Sequence, residues 1–448
     1  MSQTPLDTPT PPSWRSDLRI YRQGRVWQIF LLGLASGFPW VMIGSALSAW
    51  LQAAGVSRTE IGFLSAVATV FAINALWSPL VDQLKLPLMR RWLGQRKSWI
   101  ALCQLVIAAG CIGLSQIDAS TQTLAIGGFA LLIAIAAATQ DIAIDAFRIE
   151  SFTQAEGRLQ SAGAAMATAG WWTGFSGLGA VPFFIVGSDE SLWQFAYLVL
   201  AGIMLVLTCS LVFMRSPATT ESQPARRKSW LHWLQGTLID PLTDFFKRNG
   251  WQFALAILSF LLLFKIGEAF LGRMSIVFYK EVGFSNEQIG TYSKLINWWV
   301  TIFFAVLGSL VNLRLGVVRG LFIGGTAMAA SNLMFAWIAV TGPSIPLLIS
   351  AVVVDGFTAA WSTVAFVAFI SLLCNRSFTA TQYALLASIG TIGRTAFASY
   401  SGWLVDWLQG NWSLFFILTA LMILPSLLIL WLLRHKLTAL EQQFHQQA

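Results

Sequence analysis

Asp141 and Asp145 are carboxylates inside a stretch, Ala138-Thr139-Gln140-Asp141-Ile142-Ala143-Ile144-Asp145-Ala146-Phe147-Arg148, that closes an apolar run beginning near Leu124. Four residues apart, they fall one turn above each other on one face of a helix, and Arg148 follows three residues later on that face. At about 1.5 Å per residue, Asp141 is roughly 15 Å from the polar loop that opens at Ser151, close to the midplane of a bilayer. A charge at that depth is costly unless it meets water, a partner or a proton. Such a pair can take up and release protons, or steer a substrate, as a transporter changes shape. The plainer alternative is a carboxylate neutralised by a basic residue of a neighbouring helix. Two acids on one face are harder to explain by packing, so proton coupling through Asp141 and Asp145 is the expectation.

The second half of the chain holds further buried charges. Lys265 and Glu268, three apart, can pair locally, while Asp355 and Arg394, at similar depths, can pair between neighbouring helices. Lys294 has no local acid and is the better candidate for an anionic group of a substrate. Arg394 and Lys265 are further candidates for such a contact, and Glu268 and Asp355 for proton coupling. Trp171-Trp172 and Trp298-Trp299 lie near mid-membrane, where interfacial belts do not place tryptophan. They suit either a platform for a ring-bearing substrate or packing between two halves. Asp82, in a loop with Lys85, Arg90, Arg91, Arg96 and Lys97, is a candidate gate that pairs with a cation in one conformation only, and Arg148 is a second candidate gate.

The elements that must position these residues are transmembrane helices. Of 448 residues 56% are hydrophobic and only 11% charged, and the mean hydropathy is +0.67, which indicates a polytopic membrane protein. Apolar runs predict twelve spans, near 27–50, 60–82, 98–116, 123–147, 159–184, 192–214, 250–275, 287–312, 319–340, 346–374, 380–406 and 413–433. These give an all-α membrane protein of two six-helix bundles, 27–214 and 250–433, with tails 1–26 and 434–448 and a linker at 215–249. All but six of the 28 lysines and arginines fall on the side of the two chain ends, the exceptions being Arg58, Lys265, Arg273, Lys280, Lys294 and Arg394. That asymmetry places both termini in the cytoplasm, and it argues against nucleic acid as the reason for the net charge of +8. In the linker, Arg226-Arg227-Lys228 suits anionic lipid, Trp230, Trp233, Leu234 and Leu238 suit an interfacial helix, and Asp240-Pro241 reads as a helix start.

The bundles are expected to be duplicates. Gly55-Val56-Ser57-Arg58-Thr59-Glu60-Ile61-Gly62 opens span 2 and Gly283-Phe284-Ser285-Asn286-Glu287-Gln288-Ile289-Gly290 opens span 8, while Ser151-Phe152-Thr153 and Ser377-Phe378-Thr379 precede spans 5 and 11. A binding site is then expected between the halves, near mid-membrane. In span 1, Gly33-Leu34-Ala35-Ser36-Gly37-Phe38-Pro39 should bend the helix or admit a neighbour. Cys103, Cys111, Cys209 and Cys374 show no metal spacing, nor do His232, His435 and His445, so neither metal nor cofactor is expected. No nucleophile is paired with a base, so an enzyme is not expected. The first apolar run reads as a retained span, not a cleaved signal.

At these residues the sequence resembles the AmpG-type muropeptide permeases of the major facilitator superfamily and their acetyl-coenzyme A and siderophore-importing relatives. The resemblance rests on Gly33 to Pro39 with Ala49-Trp50-Leu51, Leu76-Trp77-Ser78-Pro79-Leu80-Val81-Asp82, Thr139-Gln140-Asp141 with Asp145-Ala146, Lys265-Ile266-Gly267-Glu268, Gly283-Phe284 through Ile289-Gly290 with Lys294, and Ser377 to Leu386 with Gly393-Arg394. It implies a bacterial inner-membrane importer, driven by protons and working by alternating access. The cargo would be a glycopeptide from cell-wall turnover whose uptake feeds recycling and beta-lactamase induction. Gln140 would then contact cargo. The resemblance breaks at span 2, where the family commonly has a lysine after Pro-Tyr: this chain has Asn74, with Val70-Phe71 in place of Pro-Tyr. Asn74 is the cargo candidate at that position, and a siderophore is the alternative cargo. A membrane sensor or scaffold is the alternative of another class, disfavoured by small cytoplasmic segments.

Overall fold

The computed structural model describes residues 21–152, 156–216, 239–304, 316–373 and 379–447, and all regular structure among them is helical. Nine described helices are long and apolar enough to cross a bilayer: span 1 (Gly24–Ala53), span 3 (Gln95–Leu114), span 4 (Thr123–Glu150), span 5 (Ala162–Val186), span 6 (Glu190–Phe213), span 7 (Trp251–Val282), span 9 (Val317–Thr341), span 10 (Ile345–Ile370) and span 12 (Trp412–Gln442). The remaining crossings are built from shorter pieces. Span 2 alternates α-helix (Arg58–Leu64, Val70–Ile73, Ser78–Gln83) with 3₁₀ turns (Ser65–Thr69, Asn74–Trp77). Span 8 opens at Asn286–Gln288 and widens into π turns over Ile289–Ile296, and span 11 joins Thr379–Ala396 to Ser401–Trp407 through the 3₁₀ turn Phe397–Tyr400. This is the all-α, two-bundle architecture expected, with three crossings less regular than their hydropathy suggested.

Small residues set the packing within each bundle. Spans 1 and 5 cross at two Gly-x-x-x-Gly pairs, Gly33/Gly37 and Gly170/Gly174: a side chain at any of the four would strike a backbone carbonyl of the other helix. Gly393 of span 11 meets the carbonyl of Leu262 on span 7 in the same way. The span 1 motif therefore packs against span 5, and the helix is interrupted at Phe38 and widens over Val41–Ser45.

The internal repeat is visible in geometry. Ser57 and Glu60 close a capping box at the start of span 2, and Ser285 and Gln288 close one at the start of span 8. Gly55 and Gly283, which precede them, both have positive φ, at 77° and 108°.

The apolar cores show how the halves meet. One cluster holds residues of both halves, from Phe38, Trp50 and Phe183 to Phe278, Phe335 and Phe416. Two further clusters stay within single halves, one around Ile29, Phe147 and Phe152, the other around Phe260, Phe264 and Phe369. The bundles are thus fused at the end where spans 1 and 2 join, here the far end, and separate toward the end bearing the chain ends, here the terminal end. In the linker, helix Asp240–Asn249 begins with Ile239, not Asp240, as the residue before it. Residues 217–238, with the basic run and the expected interfacial helix, lie outside the described residues. Span 12 continues through the expected tail as Leu424–Gln447, where Glu441 accepts a 2.6 Å hydrogen bond from the Val317 amide at the start of span 9.

Candidate functional site

A cleft of about 380 Å³ opens between spans 1, 4 and 5, and both Asp141 and Asp145 line it with Ser36, Arg148, Thr168 and Trp171. The one-turn spacing on span 4 puts the carboxylates on one wall, and the glycine-bearing face of span 1 supplies the other. Asp141 accepts a 2.6 Å hydrogen bond from Ser36, and among the described residues no cation pairs with it. Asp145 is 64% exposed and pairs with Arg148 at 3.0 Å. The neutralised-carboxylate alternative therefore does not describe Asp141. Arg148 pairs within its own helix in this state and, among the described residues, joins nothing across the halves.

Around the pair, Gln140 is fully buried and donates to the Ala35 carbonyl at 2.8 Å, tying span 4 to span 1. Asn74 donates to the Ala138 carbonyl at 3.3 Å, and Trp77 to Thr139 at 3.0 Å, so span 2 holds the same turn of span 4 from the opposite side. Trp171 stacks on Phe175 at 5.1 Å between ring centres and meets Trp172 edge-on at 5.1 Å. Trp298 donates to Thr173 at 3.1 Å across the halves and lies against Trp299, which is 65% exposed.

The C-terminal half holds a separate polar group. Lys265, buried at a break in span 7, donates to Glu268 at 2.5 Å, Ser362 at 2.7 Å and Thr363 at 3.1 Å. Asp355 accepts from Ser331 at 3.1 Å and makes no pair with Arg394, contrary to the expectation from depth. The reason is rotational: Asp355 turns toward span 9, whereas Arg394 is exposed. Lys294, 4% exposed, points out of the π turns of span 8 and stands 4.6 Å from the centre of the Phe175 ring. The side chain of Asp82 lies outside the described residues; its backbone belongs to Ser78–Gln83.

Ion pairs divide by end. Among the described residues, those at the terminal end that can be named run within one half: Arg25 to Glu156 at 2.6 Å, Arg96 to Glu150 at 2.7 Å. At the far end they join the halves. Arg58 grips Glu281 through two hydrogen bonds of 2.8 Å and Asp406 at 3.0 Å, while Asp406 also accepts from Thr59. Lys280 reaches Glu190 at 2.6 Å, and Asn286 donates to the Gly187 carbonyl at 2.9 Å. The hydrogen bond to Glu281 holds the Arg58 guanidinium above its ordinary value despite the opposing effect of burial. Sequence reasoning assigned none of these residues a role. The available signal was that Arg58 and Lys280 are the two basic residues expected on the far side. Ser36 was visible within its motif, and Phe175 gave no signal.

Residues 29–296 match the family model described as Major Facilitator Superfamily. The chain is 33% identical over 422 residues to the putative transporter AmpG 4 of Rickettsia conorii, spanning 93% of this chain and 98% of that one. It is 30% identical over 422 residues to the anhydromuropeptide permease of Escherichia coli K12, spanning 94% and 82%. Among solved structures, the nucleoside transporter NupG superposes with a TM-score of 0.63 at 17% identity, covering 93% of this chain and 99% of that one, a likeness of fold.

Proposed function

Because the chain belongs to the Major Facilitator Superfamily and, within it, to the AmpG-type permeases, we propose that it imports anhydromuropeptides across a bacterial inner membrane, coupled to protons, by alternating access. Transport, not enzymatic chemistry or sensing, is the family's activity. The excess of basic residues assigns the terminal end to the cytoplasm, so the fused far end is the outer one and the cleft faces inward. The observation that carries the reading is the cleft itself: two carboxylates one turn apart, one held by Ser36 and unpaired with any described cation, the other half in water. A carboxylate placed there exchanges protons with the inner solvent in this state and with the outer solvent once the halves rock. Lys294 and Arg394 supply positive charge for the carboxylates of a muropeptide, and Trp171 supplies a ring face for its sugars. Glu268 and Asp355, beside Lys265, are the second group of carboxylates that a proton reaches. Asp82 and Arg148 are gating residues of the inner end, and uptake by this route supplies cell-wall recycling and beta-lactamase induction.

A siderophore is the second reading, favoured by Asn74 at the span 2 position where a cavity cation is common in the family. Uptake of labelled anhydromuropeptide into proteoliposomes, with and without an imposed proton gradient and with siderophore competitors, separates the two. Gradient-driven accumulation that siderophores do not displace supports the muropeptide. Accumulation indifferent to the gradient removes proton coupling.

A further inference from the structure

Lys294 and Phe175 carry an inference that rests on the reading of Lys294 as a contact for anionic cargo. The ammonium belongs to span 8 in one half, and the ring over which it sits belongs to the π turn Thr173–Gly177 of span 5 in the other. Gly179 of span 5 lies beside it: a Cβ there would be in ordinary contact with the lysine Cδ at 3.8 Å and Nζ at 3.9 Å, and tight only against Val41 Cγ2 at 3.2 Å. The side chain is 4% exposed, and among the described residues no carboxylate is paired with it. A ring face is a weaker partner for a buried ammonium than a hydrogen-bonded anion. Cargo offers such an anion, and while the halves are fused at the far end the ammonium rests against the ring with the residue only 4% exposed. Parting spans 5 and 8 at that end must separate ammonium from ring and leave the cation bare.

We propose that Phe175 is a positioning residue that stows the Lys294 ammonium in the far-end-closed state, so that closure withdraws the cation from anionic cargo and drives release at the terminal end. Cargo carboxylate and aromatic ring compete for one cation, and the position of the halves decides which holds it. Affinity for the anion is thereby high on the far side and low on the terminal side.

Two measurements test this. In proteoliposomes, Phe175→Leu should lower both KM and kcat for anhydromuropeptide, kcat by about tenfold, because cargo is no longer displaced; added to Lys294→Gln, it should change neither. Equal effects in both backgrounds, or an unchanged KM and kcat in Phe175→Leu, overturn the proposal. The second measurement needs no cargo. Lys294→Cys, with the native cysteines replaced by serine and Thr59→Cys/Asp406→Cys bridged by a short bis-thiosulfonate, should react slowly with a charged methanethiosulfonate. It should react about tenfold faster once the bridge is cut. One rate in both states overturns stowing, whereas absence of muropeptide uptake by the unaltered protein overturns the cargo reading and leaves the accessibility result to decide this one.

Discussion

At the scale of residues, Asp141 and Asp145 are chemically alike and differently placed. Asp141 accepts from one neutral donor, Ser36, and pairs with no described cation, while Asp145 is mostly in water beside Arg148. An exposed pair of that kind contributes about 0–1 kcal/mol. Asp145→Asn should therefore cost transport less than threefold, whereas Asp141→Asn should cost about tenfold or more in gradient-driven rate. Ser36→Ala removes the hydrogen bond that Asp141 accepts and should shift the pH profile of uptake without abolishing it, which rate measurements from pH 5 to 8 would show. The acid pair was legible because spacing along one helix fixes a shared face. Partners on other helices were not: depth alone suggested Asp355 with Arg394, but rotation about the helix axis sends Asp355 to Ser331. Gln140, beside Asp141 in sequence, faces span 1 for the same reason.

At the scale of elements, the end of span 7 holds two of the far-end contacts, since the adjacent residues Lys280 and Glu281 reach Glu190 and Arg58 of the other half. Single exposed pairs are weak, but Arg58 is bidentate to Glu281 and also meets Asp406. Arg58→Glu should shift the population toward an open far end by several-fold, and Arg58→Glu/Glu281→Arg should restore closure only in part, because position 58 also faces Asp406, as read by spin-label distances across that end. The raised Arg58 value means its contribution is fully present below the ordinary arginine value and lost only as pH rises through the folded one. Those distances should consequently stay constant from pH 7 to 10. Gly174→Val, pressed on the Leu34 carbonyl, should lower the thermal midpoint of the purified protein by overpacking spans 1 and 5. The duplicated span openings were visible as sequence and return as paired capping boxes. The Arg58–Glu281 contact joins residues 223 apart and left no periodic trace. Spans 2, 8 and 11 read as uniform apolar helices because hydropathy does not register 3₁₀ and π turns.

At the scale of the whole molecule, one apolar core joins both halves at the far end and two separate cores lie toward the terminal end. The acid pair sits on the open side of that division, while Lys294 is enclosed where the halves meet. In the proposed transport cycle, rocking about the middle exchanges these exposures, which is what coupling a proton to an anionic cargo requires. The most direct test is uptake of labelled anhydromuropeptide by proteoliposomes bearing the unaltered protein or Asp141→Asn, under an imposed proton gradient and, separately, in cargo exchange without one. The expected result is that Asp141→Asn exchanges cargo but no longer concentrates it. Accumulation by Asp141→Asn to the level of the unaltered protein would contradict proton coupling through the cleft.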